Sequence, residues 1–259
     1  MSAAKALIQG FVSRRLDQAF LDDRDDAKPL RLKRYGETFV SEFDKSLYGY
    51  CEEGTFIVAN TTTPGTGFTW ANSGNGVQSF LDTAPQGYIL NNEAAGGKSL
   101  CLAHIKLITT TAPTAATGGK FAIFMDTGPR TLTTDSMTAL TVSNPNGNFS
   151  APLAIPTVKI QNSATPSVMS AIVTSKKVAQ GWLCGTIPIV GDEYTISFGR
   201  GDIGGHPGLT AVETVCRKVV NNSPPCIIPP AYCVALYFWF PALTTASIVP
   251  EVEIAMWAR

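Results

Sequence analysis

The sequence predicts an all-β sandwich with an N-terminal arm in front of it, and three observations carry that expectation. Charge is unevenly divided. Residues 1–50 hold 9 of the 20 basic and 8 of the 20 acidic residues, a density of 34%, whereas the remaining 209 residues hold the other 23, a density of 11%. Past residue 50, short runs of Val, Ile, Phe, Tyr and Thr alternate with clusters of Gly, Pro, Asn and Thr, the texture of strands joined by turns. That stretch has no convincing helical period and no repeat of fixed length, which disfavours solenoids and propellers.

The arm, residues 1–50, opens with Ala4, Leu7, Ile8, Phe11, Val12, Leu16 and Phe20 at helical spacing. Arg14, Arg15 and Asp17 fall between them, so the pattern predicts an amphipathic helix of about 17 residues. An Asp-rich stretch (Asp22, Asp23, Asp25, Asp26) and then Pro29 end it, because Asp favours caps and turns and Pro lacks the backbone donor. Arg31, Lys33 and Arg34 form a short basic cluster. Tyr35, Phe39, Phe43 and Leu47 then carry the chain, extended or as a second short helix, to the body at residues 51–259.

In the body, Thr55–Asn60 reads as the first strand, and Pro64-Gly65 as the turn chemistry after it. Phe68–Ala71 and Tyr88–Asn91 are weaker strands. Lys98–Thr109 is long and apolar on both faces, which predicts a central, doubly covered strand. Lys120–Asp126, Met137–Val142, Leu153–Ile160 and Val168–Val173 follow. Val178–Val190 contains Gly181, Gly185 and Pro188 and is expected to be kinked or bulged. Glu193–Gly199 alternates, Leu209–Val220 reads as strand or short helix, Tyr232–Phe240 is the most apolar strand, and Ile248–Trp257 closes the set. Ten or eleven short strands in about 200 residues, with long Gly/Thr/Pro loops, point to a jelly-roll β-sandwich.

Composition excludes several function classes. The formal net charge is zero, and 15% of residues are charged, against about 25% in an ordinary soluble domain. The chain is too apolar for a disordered protein and lacks the positive excess of a nucleic-acid-coating one. Two His cannot build a His-rich metal site. The N-terminus does not read as a secretory signal. The longest mostly apolar run, Ala231 to Leu243, is interrupted by Pro241 and falls short of the ~20 residues of a membrane helix, so no membrane span is expected. Cys51, Cys101, Cys184, Cys216, Cys226 and Cys233 show no CxxC spacing and read as buried thiols.

No residue pattern assembles a catalytic or cofactor site, so an enzyme is not expected, nor a bound cofactor or metal. His206 lies in a Gly-rich loop, with nothing to orient it against Cys216 or a serine. His104, within the long apolar strand, reads as a core or interface histidine. Gly96-Gly97-Lys98-Ser99 mimics the end of a phosphate-binding loop but has Asn92 where the first Gly belongs, and a strand follows it rather than a helix. Glu251 and Glu253 fall on one strand face. With Asp192 and Glu193 they could share protons or a divalent ion at a subunit boundary, although charges on strands often only block mispairing. Tyr237 to Phe240 alternate sides, so one pair fills the core and the other meets a second layer.

The charged arm and the low-charge β body together resemble the single jelly-roll capsid proteins of small tailless icosahedral viruses. Glu53-Gly54-Thr55-Phe56-Ile57-Val58-Ala59-Asn60 with Pro64-Gly65-Thr66-Gly67, Pro188-Ile189-Val190-Gly191-Asp192-Glu193-Tyr194, and Trp239-Phe240-Pro241 with Trp257-Ala258-Arg259 resemble segments of proteins from phages known largely from environmental sequence. The resemblance spans residues 52–259. It implies a virion protein, made in the host cytoplasm, that self-assembles in many copies around a genome, with other capsid proteins as further partners. On this reading Leu7, Phe11 and Phe20 anchor the arm on neighbouring subunits. Arg14, Arg15, Arg31, Lys33 and Arg34 make ion pairs or modest genome contacts, because eight acids balance the arm. A phage spike, fibre or decoration protein, or a lectin-like binding module, is the alternative on the same fold.

Overall fold

The computed structural model describes residues 50–51, 54–69, 83–112, 118–128, 132–135, 137–147, 156–163, 167–170, 175–199, 218–240 and 249–258, all within the unit Leu47–Arg259. The strands are β1 (Phe56–Asn60), β2 (Gly87–Leu90), β3 (Leu100–Thr111), β4 (Gly119–Asp126), β5 (Leu132–Thr134), β6 (Met137–Ala139), β7 (Thr141–Ser143), β8 (Thr157–Gln161), β9 (Val168–Met169), β10 (Ser175–Cys184), β11 (Glu193–Phe198), β12 (Lys218–Ser223), β13 (Ile227–Ile228), β14 (Cys233–Trp239) and β15 (Val249–Ala258). Among the described residues only Tyr50 and Cys51 are helical.

Two principal sheets hold these strands. One is ordered β12-β11-β3-β15-β1-β7, with β13 also paired to β3; the other is ordered β10-β4-β14-β2-β8-β6; β5 and β9 form a small ribbon. The pairing is nested along the chain. β1 pairs with β15, β2 with β14, β3 with β11 and β4 with β10, all antiparallel. β11 and β12 are parallel, an arrangement that a purely antiparallel jelly roll does not contain.

Alternation builds the core. β15 buries Pro250, Val252, Ile254, Met256 and Ala258 and leaves Glu251, Glu253 and Trp257 partly exposed. β11 alternates in the same way through Tyr194 and Ile196. The inner rows of both sheets meet in one cluster, with Ile57, Leu102, Ile105, Ile196 and Ile254 from the first sheet and Ile89, Ile123, Ile160, Leu236 and Phe238 from the second. Each such side chain contributes about 1.5–3 kcal/mol on burial. Buried amides tie strand ends together. The Asn91 Nδ2 donates to the carbonyls of Lys98 (2.9 Å) and Ile228 (3.0 Å), and the Gln86 Oε1 accepts from the Phe238 amide (2.7 Å).

Several glycines leave little room for a side chain. A Cβ on Gly118 would run into the Cys184 carbonyl oxygen, and one on Gly119 would lie 2.5 Å from the Phe240 ring. The β10 strand meets β4 with two register shifts, the bulging that its glycines predict.

Several expected elements differ. Met137–Val142 is two strands, β6 in one sheet and β7 in the other, because the chain crosses between sheets at Leu140. Phe68 and Thr69 are not strand; Phe68 instead donates its amide to the Pro250 carbonyl (2.8 Å). Strand β3 is central, as expected, but only its inner face is fully covered, since His104, Lys106 and Ile108 on the other face stay partly exposed. The turn at Gly96-Gly97 leads from β2 in one sheet to β3 in the other.

Candidate interaction surfaces

The outer face of the seven-stranded sheet is polar. The register aligns Val220, Thr195, Lys106, Glu253, Asn60 and Thr141 in one row across six strands. The Glu253 Oε1 accepts from His104 Nε2 at 3.0 Å and from Lys106 Nζ at 2.9 Å. The bond from His104 outweighs partial burial, and Lys106 adds a second bond and its charge, so the Glu253 carboxyl is held down at about 2. In the next row Glu193 and Glu251 flank Ile108. Glu193 pairs with Lys218 at 3.2 Å, and Glu251 accepts from the Thr61 hydroxyl at 3.3 Å and the Gly65 amide at 3.4 Å.

Asp192 is separate from this face. It is fully buried, and its Oδ2 accepts from the Tyr194 hydroxyl (2.7 Å) and the Ile189 amide (2.9 Å). Burial first, then the nearby Cys184 and Asp192, push Tyr194 far up, so it stays a neutral donor. Asp192, Glu193, Glu251 and Glu253 do not converge on one point within the chain. The first is locked inside, two have cationic partners, and the described residues contain no group of three His, Cys, Asp or Glu able to hold a metal. His104 is on the outer face, not in the core, because the period of β3 places it beside Lys106.

Asp192 and Gly191 (φ 89°) shape the turn from Gly185 to Asp192, which presents Ile187 (43% exposed), Ile189 (41%) and Val190 (62%) to solvent. Ordinary exposure of single apolar residues needs no explanation. Three within four positions, held by a buried carboxylate, make a preformed apolar tip.

The outer face of the six-stranded sheet is apolar and largely buried. Tyr237 packs with Ala122 and Ala235, and Phe124 and Trp239 lie against them. Tyr88, Met137, Met169 and Cys233 form a neighbouring cluster. Burial, and then Cys233, push the Tyr88 hydroxyl up to about 12. Phe238 and Phe240 belong to the inner core, so the division of the aromatic run into two layers stands as the alternation predicts.

The described cysteines are all free thiols, with Cys101, Cys184, Cys226 and Cys233 buried and Cys51 half-buried. Burial, then Cys101, push the Cys226 thiol up to about 12. Cys216 and His206 lie outside the described residues, as do Leu7, Phe11, Phe20, Arg14, Arg15, Arg31, Lys33 and Arg34. No described helix is long and apolar enough to cross a membrane. The chain matches no protein-family model, no curated protein and no solved structure.

Sequence reasoning overlooked two features. The tip at Ile187–Val190 was hidden inside an apolar stretch that reads as strand. The pairing of Trp182 with Lys120 (4.6 Å from Nζ to the ring centroid) joins residues 62 positions apart, and no local signal links them.

Proposed function

We propose that the chain is a virion structural protein, a single jelly-roll capsid subunit that assembles in many copies into an icosahedral shell. The observation that carries the proposal is the nested strand pairing, first with last and inward to β4 with β10, divided between two sheets. A jelly roll is such a long antiparallel hairpin rolled around a core, and viral capsid domains are among its common users. Further support comes from the charge-poor body and the apolar tip at Ile187, Ile189 and Val190, a surface that suits contact with further copies. In this reading the arm's Leu7, Phe11 and Phe20 anchor on neighbouring subunits, and Arg14, Arg15, Arg31, Lys33 and Arg34 pair with charges or with the genome.

Size is the test. Full-length protein, followed by light scattering and negative-stain microscopy across salt and pH, is expected to form large closed particles. Protein that stays monomeric at high concentration under all conditions overturns the proposal. A variant lacking residues 1–50 is expected to fold but not to close particles, and closed particles from it would remove the arm's role.

A further inference from the structure

The edge of the six-stranded sheet combines an exposed indole with positive charge. Strand β10 is at the end of the sheet order and pairs with β4. Trp182 on β10 is 57% exposed and stands opposite Lys120 on β4, whose Nζ lies 4.6 Å from the ring centroid. Toward the other end of β10, Lys176, Lys177 and Gln180 are exposed, and Lys177 Nζ donates to the Gln180 Oε1 at 2.8 Å. Lys177 and Trp182 stand opposite Phe124 and Lys120, which puts them about 14 Å apart along the strand at the usual rise. The acidic residue of these two strands is Asp126, buried and opposite Ser175 at the far end. Among the described residues no carboxylate pairs with Lys120, Lys176 or Lys177.

We propose that this edge binds single-stranded nucleic acid, with Trp182 as the stacking platform and Lys120 and Lys177, on the same face, as phosphate contacts. Lysines alone would take any polyanion, whereas an exposed indole beside them favours one that carries flat aromatic groups. A duplex hides its base faces, so the indole selects single strands. Every base has a π face, so little sequence preference is expected. A protein partner fits less well. The neighbours of Trp182 on this strip are Lys120, Gln180 and Lys177, while the uncharged apolar tip is the separate turn at Ile187–Val190. The site stands on β4 and β10 and does not depend on the shell reading. It also moves nucleic-acid contact from the arm, where acids match the bases, to the body.

The test is a titration of the full-length protein with labelled oligo(dT) and oligo(rU), with duplex DNA and heparin as competitors, read by anisotropy and tryptophan quenching. Two phosphate contacts predict a log–log salt slope of about −1.4 for single strands. Trp182→Ala is expected to weaken binding roughly 5- to 150-fold, Trp182→Phe to retain most of it, and Lys177→Gln to reduce the slope by about 0.7. Circular dichroism on each variant separates lost binding from lost folding. No binding, or binding that Trp182→Ala leaves intact, overturns the proposal, as does duplex or heparin binding as strongly as the single strands. Loss only when Arg14, Arg15, Arg31, Lys33 and Arg34 are replaced together would return the contact to the arm and overturn it too. Light scattering on the same samples keeps the two ideas apart. Shells without oligonucleotide binding sink this site alone, and binding without shells sinks the shell reading alone.

Discussion

The two principal sheets share one core, yet their outer faces differ in kind. On the seven-stranded sheet the outward row carries Thr195, Lys106 and Glu253, with His104 alongside, and the side chains of His104, Lys106 and Glu253 are about a third exposed. On the six-stranded sheet the outward face carries Ala122, Ala235 and Tyr237, all nearly inaccessible. A sheet with one polar face needs only the inner core to be stable. A sheet apolar on both faces has two cores, and the strand between them, β14, is buried at all positions but its last. The outer aromatic layer is therefore structural, and the charged face is the one free to change without unfolding the protein.

Substitutions can break that contrast. Tyr237→Ala should have the largest effect, about 3–5 kcal/mol, the usual cost of truncating a buried aromatic ring. Denaturant unfolding checks it, and a loss below 1 kcal/mol would mean that the outer layer is not a second core. Gly119→Ala in the same sheet adds a methyl against the Phe240 ring and should cost about 1–3 kcal/mol, read as a lowered melting temperature. On the charged face, Glu253→Gln should cost no more than about 1 kcal/mol.

The effect of Glu253 depends on pH in a defined direction. Its folded pKa of about 2 is below its ordinary value of 4.5. Its stabilisation is therefore complete above about 4.5 and is lost as pH falls toward 2. The stability difference between wild type and Glu253→Gln should be flat above that range and shrink below it; a difference that grew on acidification would contradict the assignment. Lys218→Ala should have the smallest effect, within about 0.5 kcal/mol, since the Lys218 side chain is 71% exposed.

Most strands were legible because alternation is a local signal. The pattern from Glu193 and that closing the chain at Trp257 both place β11 and β15 to within a residue or two. The short strands β5 and β13 were not legible. Three- and two-residue strands exist only because a partner is in reach, Met169 for β5 and Cys101 for β13. The split of Met137–Val142 escaped notice for a related reason, since the residue run is continuous and only the packing sends its halves to different sheets. That Asp192 lies buried behind the face carrying Glu193, Glu251 and Glu253 was not legible, because sequence gives the parity of a strand but not the depth of its neighbours. Asp192 follows the turn glycine and is drawn inside by Tyr194.

By itself, the sequence determined the all-β class, the boundary in charge near residue 50, the two-layer division of Tyr237 to Phe240 and the bulged β10. These follow from composition and from a period of two residues, which need no partner to be read. Tertiary structure alone decided which strands pair, that β12 runs parallel to β11, that His104 meets Glu253 and that Trp182 meets Lys120. Each of those contacts joins residues tens of positions apart or more, and pairing at that distance is set by how the two sheets bury their apolar faces together.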